Sequence, residues 1–194
     1  MSKVVIAGNA SGTGVYTLEA PNGNTDRTLV LPDEAGTIIT TAGVPASAMP
    51  AGSVLQVVQT QTTTNVTNNT TSYVDAGLTT NITPTSASSK ILALLSFTFR
   101  HGSSNYAINI VQLTRTVSGG ALVGLGDVRV GNAVNATVVE HTSNSLNVLD
   151  TPSTTSQITY AVRFAVVGSA GSYDNGHFCH NGTTSTLTLM EIAA

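Results

Sequence analysis

Lys90-Ile91-Leu92-Ala93-Leu94-Leu95-Ser96-Phe97-Thr98-Phe99-Arg100 is the stretch that decides the fold. At a period of two, Ile91, Ala93, Leu95, Phe97 and Phe99 share one face without a polar interruption, which predicts a strand with that face in a core. The opposite face begins with Leu92 and Leu94 and changes to Ser96, Thr98 and Arg100. A helix would scatter the last three around its cylinder, and the β-branched and aromatic side chains favour a pleat. The second face is therefore expected to be dry where the strand starts and wet where it ends. Leu92 and Leu94 need a cover of their own.

Working outward, the segments from Ser53 onward alternate in short runs separated by turn residues. Val54–Gln61, Ser72–Asp75, Leu78–Ile82, Tyr106–Thr116, Ala121–Leu125, Asp127–Val130, Asn135–His141, Leu146–Leu149, Gln157–Val167 and Ser185–Ile192 are the expected strands. In the second-to-last of these, Ile158, Tyr160, Val162, Phe164 and Val166 fall on one side. Such spacing predicts an all-β fold, an antiparallel, jelly-roll-like β-sandwich over residues 53–194. Ile91, Leu95, Phe97, Phe99, Tyr160, Val162 and Phe164 should lie in its core. Residues 44–52, with Pro45 and Pro50 among small residues, form a linker. Residues 1–43 are an arm of short β segments punctuated by turns such as Pro21-Asn22-Gly23-Asn24 and Pro32-Asp33-Glu34-Ala35-Gly36. Strands of about five residues bury little alone, so the arm should be stable only when packed on something else.

Composition narrows the function. Charged residues are 9% of the chain, against roughly 25% in ordinary soluble proteins, so Thr, Ser, Asn and Gly must build the surface. With a net charge of −3 and seven thinly spread Lys and Arg residues, there is no basic stripe to release counterions from nucleic acid. No apolar run is long enough for a membrane helix. Cys179 is the sole cysteine, which excludes an intrachain disulfide. The apolar start Val4-Val5-Ile6 gives way to Gly8-Asn9-Ala10-Ser11-Gly12 too soon for a signal peptide, so synthesis in the cytosol is expected.

Candidate chemistry is sparse. Asp150, His141 and neighbouring serines suggest a hydrolytic triad only by type, because no Gly-x-Ser-x-Gly elbow is present. His177-Phe178-Cys179-His180 offers three metal ligands in four residues, without the second separated pair that zinc sites use. The expected reading is a loop-edge strand with Phe178 inward. Gly8-Asn9-Ala10-Ser11-Gly12-Thr13-Gly14 lacks the Lys-Ser/Thr ending of a phosphate loop. Tyr16, Tyr73, Tyr106 and Tyr173 have the apolar face and polar tip that stack on sugars, but their spacing makes no platform. No catalytic residue, cofactor or metal is expected.

Asn22-Gly23-Asn24-Thr25-Asp26-Arg27-Thr28-Leu29-Val30-Leu31-Pro32-Asp33-Glu34-Ala35-Gly36-Thr37-Ile38 resembles the short repeat near the N-termini of tailed-bacteriophage fibre proteins. Pro50-Ala51-Gly52-Ser53-Val54-Leu55-Gln56-Val57-Val58-Gln59 resembles the opening of a β-domain in virion proteins of cyanophages and marine phages, and Thr83–Leu92 and Ser185–Ala193 are in the same style. The resemblance implies a non-catalytic virion protein, a homotrimer whose arm attaches to the particle and whose β-domain projects. The major capsid protein or a protein near the tail or portal would be its partner. The long shaft of a receptor-binding fibre is missing, which favours a short tail or head fibre or a capsid decoration (cement) protein. The alternative is a tail-fibre adhesin that binds a host surface glycan.

Self-association would also cover the apolar residues that one chain leaves out. Leu92 and Leu94 on the deciding strand, and Leu29, Leu31 and Ile38 in the arm, are the candidate trimer interface. A competing cover for Leu92 and Leu94 is the polar stretch Thr62–Thr71 or another loop, folded over them within one subunit.

Overall fold

A computed structural model of the chain describes residues 48–101, 107–130, 140–168 and 176–194, together with 11–13, 22–24, 28 and 44. The chain divides into two compact units, Met1–Ile38 and Ile39–Ala194. The ten described strands all lie in the second: β1 (Val54–Thr62), β2 (Val66–Asn68), β3 (Val74–Ile82), β4 (Lys90–His101), β5 (Ala107–Val117), β6 (Leu122–Val130), β7 (Glu140–Asp150), β8 (Ile158–Gly168), β9 (Gly176–Phe178) and β10 (Ser185–Ile192). The strands expected in the arm fall outside the described residues.

The deciding stretch is β4. One of its edges pairs with β7 along its whole length, and its other edge pairs first with β10 and then, at Phe99 and Arg100, with β9. β1 completes this sheet against β10, and β2 continues its line against β9. The facing sheet runs β3-β8-β5-β6, and every pairing in both sheets is antiparallel. From β1 the main strands pass back and forth between the sheets. Only β5 and β6 pair as a hairpin, across a turn where Gly119 adopts φ +75°. The first and last strands, β1 and β10, lie side by side in the order β1-β10-β4-β7. This wrapping is that of an eight-stranded jelly roll.

The alternation predicted for β4 holds. Ile91, Ala93, Leu95, Phe97 and Phe99 are buried, as are Tyr160, Val162 and Phe164 of the facing sheet. All four phenylalanines form one cluster. Phe99 meets Phe164 edge-on at 5.4 Å, and Phe178 stacks on Phe97 at 5.9 Å and on Phe164 at 6.2 Å. Beside them the two sheets approach so closely that a Cβ at Gly176 would run into Asn109 Oδ1 and the tip of Phe99.

Several boundaries differ from expectation. Ser72–Asp75 and Leu78–Ile82 are one strand, β3, bulged between Asp75 and Thr79. Ala121–Leu125 and Asp127–Val130 are likewise one, β6, whose register slips opposite Leu113 and Thr114. Gly77 (φ +71°) and Gly126 lie at these irregularities, in the gaps between the segments expected as separate strands. The Asn135–His141 segment is described only from Glu140, which opens β7 and runs without a break to Asp150.

Two carboxylates are built into the sandwich. Asp150 of β7 reaches across to the facing sheet, where Arg115 and Tyr160 are directly opposite one another on β5 and β8. Arg115 Nη1 donates to Asp150 Oδ1 and Oδ2 at 2.6 and 2.9 Å, and the Tyr160 hydroxyl donates to Oδ2 at 2.6 Å. Glu191 occupies an inward position of β10. Gln56 Nε2 donates to its Oε2 at 2.6 Å, and the Thr85 amide and hydroxyl donate to Oε1 at 2.7 and 2.8 Å.

Burial alone would raise the Glu191 pKa, but these donors outweigh it and hold the carboxyl below its ordinary range. A depressed folded-state pKa stabilises the protein above the ordinary value of 4.5, and that stabilisation is lost as pH falls through the folded value. The urea midpoint should therefore drop between about pH 5 and pH 3. Glu191→Gln should cost about 1.5–3 kcal/mol at neutral pH, the range for hydrogen bonds to a charged group, and should flatten the acid limb. Parallel acid limbs for the variant and the native chain would assign that stabilisation elsewhere.

Candidate functional site

The outer face of the β1-β10-β4-β7 sheet changes character along its strands. At one end Val57, Met190, Leu92 and Leu149 are successive cross-strand partners, so a single apolar row crosses all four strands. Val57 and Leu149 at its ends are 54% and 57% exposed, with Met190 and Leu92 half-buried between them. The next row is Gln59, Thr188, Leu94 and Asn147, and the one after it is Gln61, Thr186, Ser96 and Ser145. Leu92 and Leu94 thus point outward as expected.

The stretch Thr62–Thr71 does not cover them. Within Thr62–Thr71, residues Val66–Asn68 pair with β9, level with Phe99 at the far end of β4, and Val66 packs against the core. Asn68 is held there by donating to the Phe164 and Ser72 carbonyls. Leu29, Leu31 and Ile38 lie outside the described residues.

At the far end of the same face, His177, Arg100 and His141 form a second row across β9, β4 and β7. After β9 the chain makes a single 3-10 turn, His180–Gly182, which brings the His180 ring to 5.0 Å from His177 and 5.3 Å from His141. Cys179 and Asn181, on either side of His180, have φ 54° and 56°, left-handed values that are unusual for a residue other than glycine. Loss of solvent around His180, followed by the charges of Arg100 and His141, lowers its pKa below the ordinary histidine range. His177 Nδ1 lies 3.2 Å from the Thr67 hydroxyl.

The expected inward Phe178 is found, and Cys179 is buried behind it. The Cys179 thiol donates to Ser185 Oγ at 3.0 Å, and burial pushes its pKa up, the opposite of what a nucleophilic cysteine needs. Among the described residues no three His, Cys, Asp or Glu side chains are arranged to hold a metal ion.

Other chemical readings fail on position. His141 and Asp150 stand nine residues apart on one strand, opposite Arg100 and Ile91 respectively, which puts about 30 Å between them at strand rise. Asp150 is moreover committed to Arg115 and Tyr160. Of the four tyrosines with a sugar-stacking shape, Tyr73 is 39% exposed, but the Arg163 guanidinium lies over its ring at 4.4 Å. Tyr16, Tyr106 and Tyr173 lie outside the described residues.

Neither the row of three nor the buried carboxylates were evident from the sequence. The histidines meet only through strand register. Glu191 did leave a signal, because it continues the inward phase of Leu187 and Leu189 with a charge.

No protein-family model matches the chain, and no curated protein matches it. Among solved structures it is similar to VP2 of infectious bursal disease virus. The subviral particle of that protein matches at 12% identity and TM-score 0.40, over 72% of this chain and 38% of the other. The Gt strain structure matches at 12% identity and TM-score 0.44, over 81% and 43%. This chain therefore spans about two-fifths of the length of those proteins. At these scores the jelly roll rests on the chain's own strand order, and function is argued from its own residues.

Proposed function

We propose that this chain is a non-catalytic structural protein of a virion. Residues 1–43 attach it to the particle, by way of the major capsid protein or a protein near the tail or portal. The jelly roll is displayed as a homotrimer, either as a short fibre or as a capsid decoration. The jelly roll hosts capsid, lectin and cupin functions alike, so fold alone does not choose among them. A cupin-like reaction would need an open, polar interior, whereas the inward faces here are closed by the phenylalanine cluster and aliphatic side chains.

The observation that carries the reading is the apolar row Val57-Met190-Leu92-Leu149. It spans the sheet's width, about 14 Å over three strand spacings, and its two ends, Val57 and Leu149, are the most exposed of the large hydrophobic side chains among the described residues. A second copy of the chain is the occupant proposed for it. Identical faces buried around a closed axis cover every copy, and a chain with 9% charged residues brings little like-charge repulsion to that contact.

Sedimentation equilibrium on the intact chain is expected to give a trimer at micromolar concentration. Leu92→Asp combined with Leu149→Asp should dissociate it to monomers that keep the far-ultraviolet spectrum of the native domain. A native monomer, or a trimer indifferent to both substitutions, would remove this interface. The virion assignment has its own test in quantitative mass spectrometry of purified particles. Many copies per particle would indicate decoration and a handful would indicate a fibre, while absence from particles would overturn the reading.

A further inference from the structure

We infer that a cleft across the outer face of the β3-β8-β5-β6 sheet binds a neutral sugar chain. Strand register lines up Asp75, Arg163, Gln112 and Asp127 as one row of longer polar side chains over all four strands. Their neighbours Val111, Leu113, Val162 and Phe164 are buried in the core, so this row points outward. The next outward row is Thr79, Ala161, Thr114 and Gly124, in which every side chain is short. Short side chains beside long ones make a trough that runs across the strands. An open cleft of about 140 Å³ lies there, and its lining includes Tyr73, Asp75, Ala161, Arg163, Thr114 and Leu122. Each of the four strands contributes to it.

The polar groups around the cleft are held in place. Arg163 Nε donates to Gln112 Oε1 at 2.8 Å, and the guanidinium lies over the Tyr73 ring at 4.4 Å. That contact takes a face of Tyr73 away from sugar stacking and steadies the guanidinium instead. The Gly77 amide donates to Asp75 Oδ1 at 2.7 Å, which fixes the carboxylate. In the floor, the Thr114 hydroxyl donates to the Ala161 carbonyl at 2.9 Å. A Cβ at Gly124 would stand 3.0 Å from Gln112 Nε2, so the missing side chain lets that amide lie against the backbone.

Arg163 and Asp75 are directly opposite one another on β8 and β3, yet they close no ion pair. The one ion pair among the described residues is that of Arg115 with Asp150. A donor and an acceptor side by side suit a sugar, whose hydroxyls each donate and accept. Leu122, 49% exposed, offers an apolar surface to the C–H face of the ring.

Other ligands fit less well. With two carboxylates to one guanidinium, the long row disfavours an anionic polymer. An extended peptide binds by adding to a strand edge, whereas β8 and β5, at the centre of the cleft, are paired on both sides. The cleft is on the opposite side of the sandwich from the apolar row, and the inference does not depend on the virion assignment.

The full chain is screened against an array of neutral and acidic oligosaccharides, and each hit is titrated as the free oligosaccharide, followed by backbone amide NMR signals. The expected result is saturable binding of a neutral glycan, with shifts centred on Asp75, Thr114, Ala161 and Arg163. Its affinity should be the same at low and high salt, since no charge pair is formed with the ligand. Arg163→Gln should weaken binding at least about tenfold, the factor for hydrogen bonds to a charged group. Ala161→Leu should abolish it by filling the floor of the cleft. Both positions face away from the core, and unchanged urea midpoints would establish that the variants are folded. Absence of any bound neutral glycan, binding confined to acidic glycans, shifts centred elsewhere, or unchanged affinity in both variants would overturn the site.

Discussion

Phe164→Ala should destabilise the domain by roughly 3–5 kcal/mol, the range for removing a buried aromatic ring from a core that cannot collapse around the gap. Phe164 is the facing sheet's contribution to the phenylalanine cluster, in contact with Phe99 and Phe178, and it is completely buried. Its loss would remove the facing sheet's aromatic ring from both contacts. Collapse is obstructed because β9 is already in contact with Asn109 at Gly176. Urea titration of the purified chain measures the effect. A loss below about 1 kcal/mol would mean that the two sheets are not packed through this ring.

Asp150→Ala should cost a similar amount, about 3–5 kcal/mol, for a different reason. The aspartate accepts from Arg115 and Tyr160 at once, so its removal strands a guanidinium and a hydroxyl that are shielded from water. Asp150→Asn keeps an acceptor and should lose less. The same network governs alkaline behaviour. Burial, with the Asp150 hydrogen bond and charge, pushes the Tyr160 hydroxyl far above the ordinary tyrosine value of 10.0. A raised folded-state pKa means that this stabilisation is complete below the unfolded value and is lost as pH climbs toward the folded one. Native stability should thus decline above about pH 10, and the decline should be shallower in the Tyr160→Phe variant. Identical alkaline profiles for the two proteins would assign the decline to another group.

Much of the architecture was legible in one strand. The alternation from Ile91 to Phe99 identified the buried face correctly because a strand's period of two is a local property, set by the pleat. For the same reason Tyr160, Val162 and Phe164 were placed in the core, and Leu92 and Leu94 on the outside. The errors fell where local signals mislead. The breaks expected between Asp75 and Leu78 and between Leu125 and Asp127 are bulges, where glycine is tolerated while the ladder continues on both sides. β2 was missed because Val66-Thr67-Asn68 is a strand only by virtue of its pairing with β9.

By itself the sequence determined the all-β class, the inward and outward faces of the long strands, and a surface poor in charge. Only the tertiary structure decided what those faces present. Pairing of Val57 with Met190, Met190 with Leu92 and Leu92 with Leu149 joins four distant segments into one apolar row. The same registers set Arg100 between His141 and His177, and they separate His141 from Asp150 by the length of a strand. The physical reason is that side-chain alternation is encoded residue by residue, whereas strand order and register come from contacts between segments more than a hundred residues apart, as β1 and β10 are.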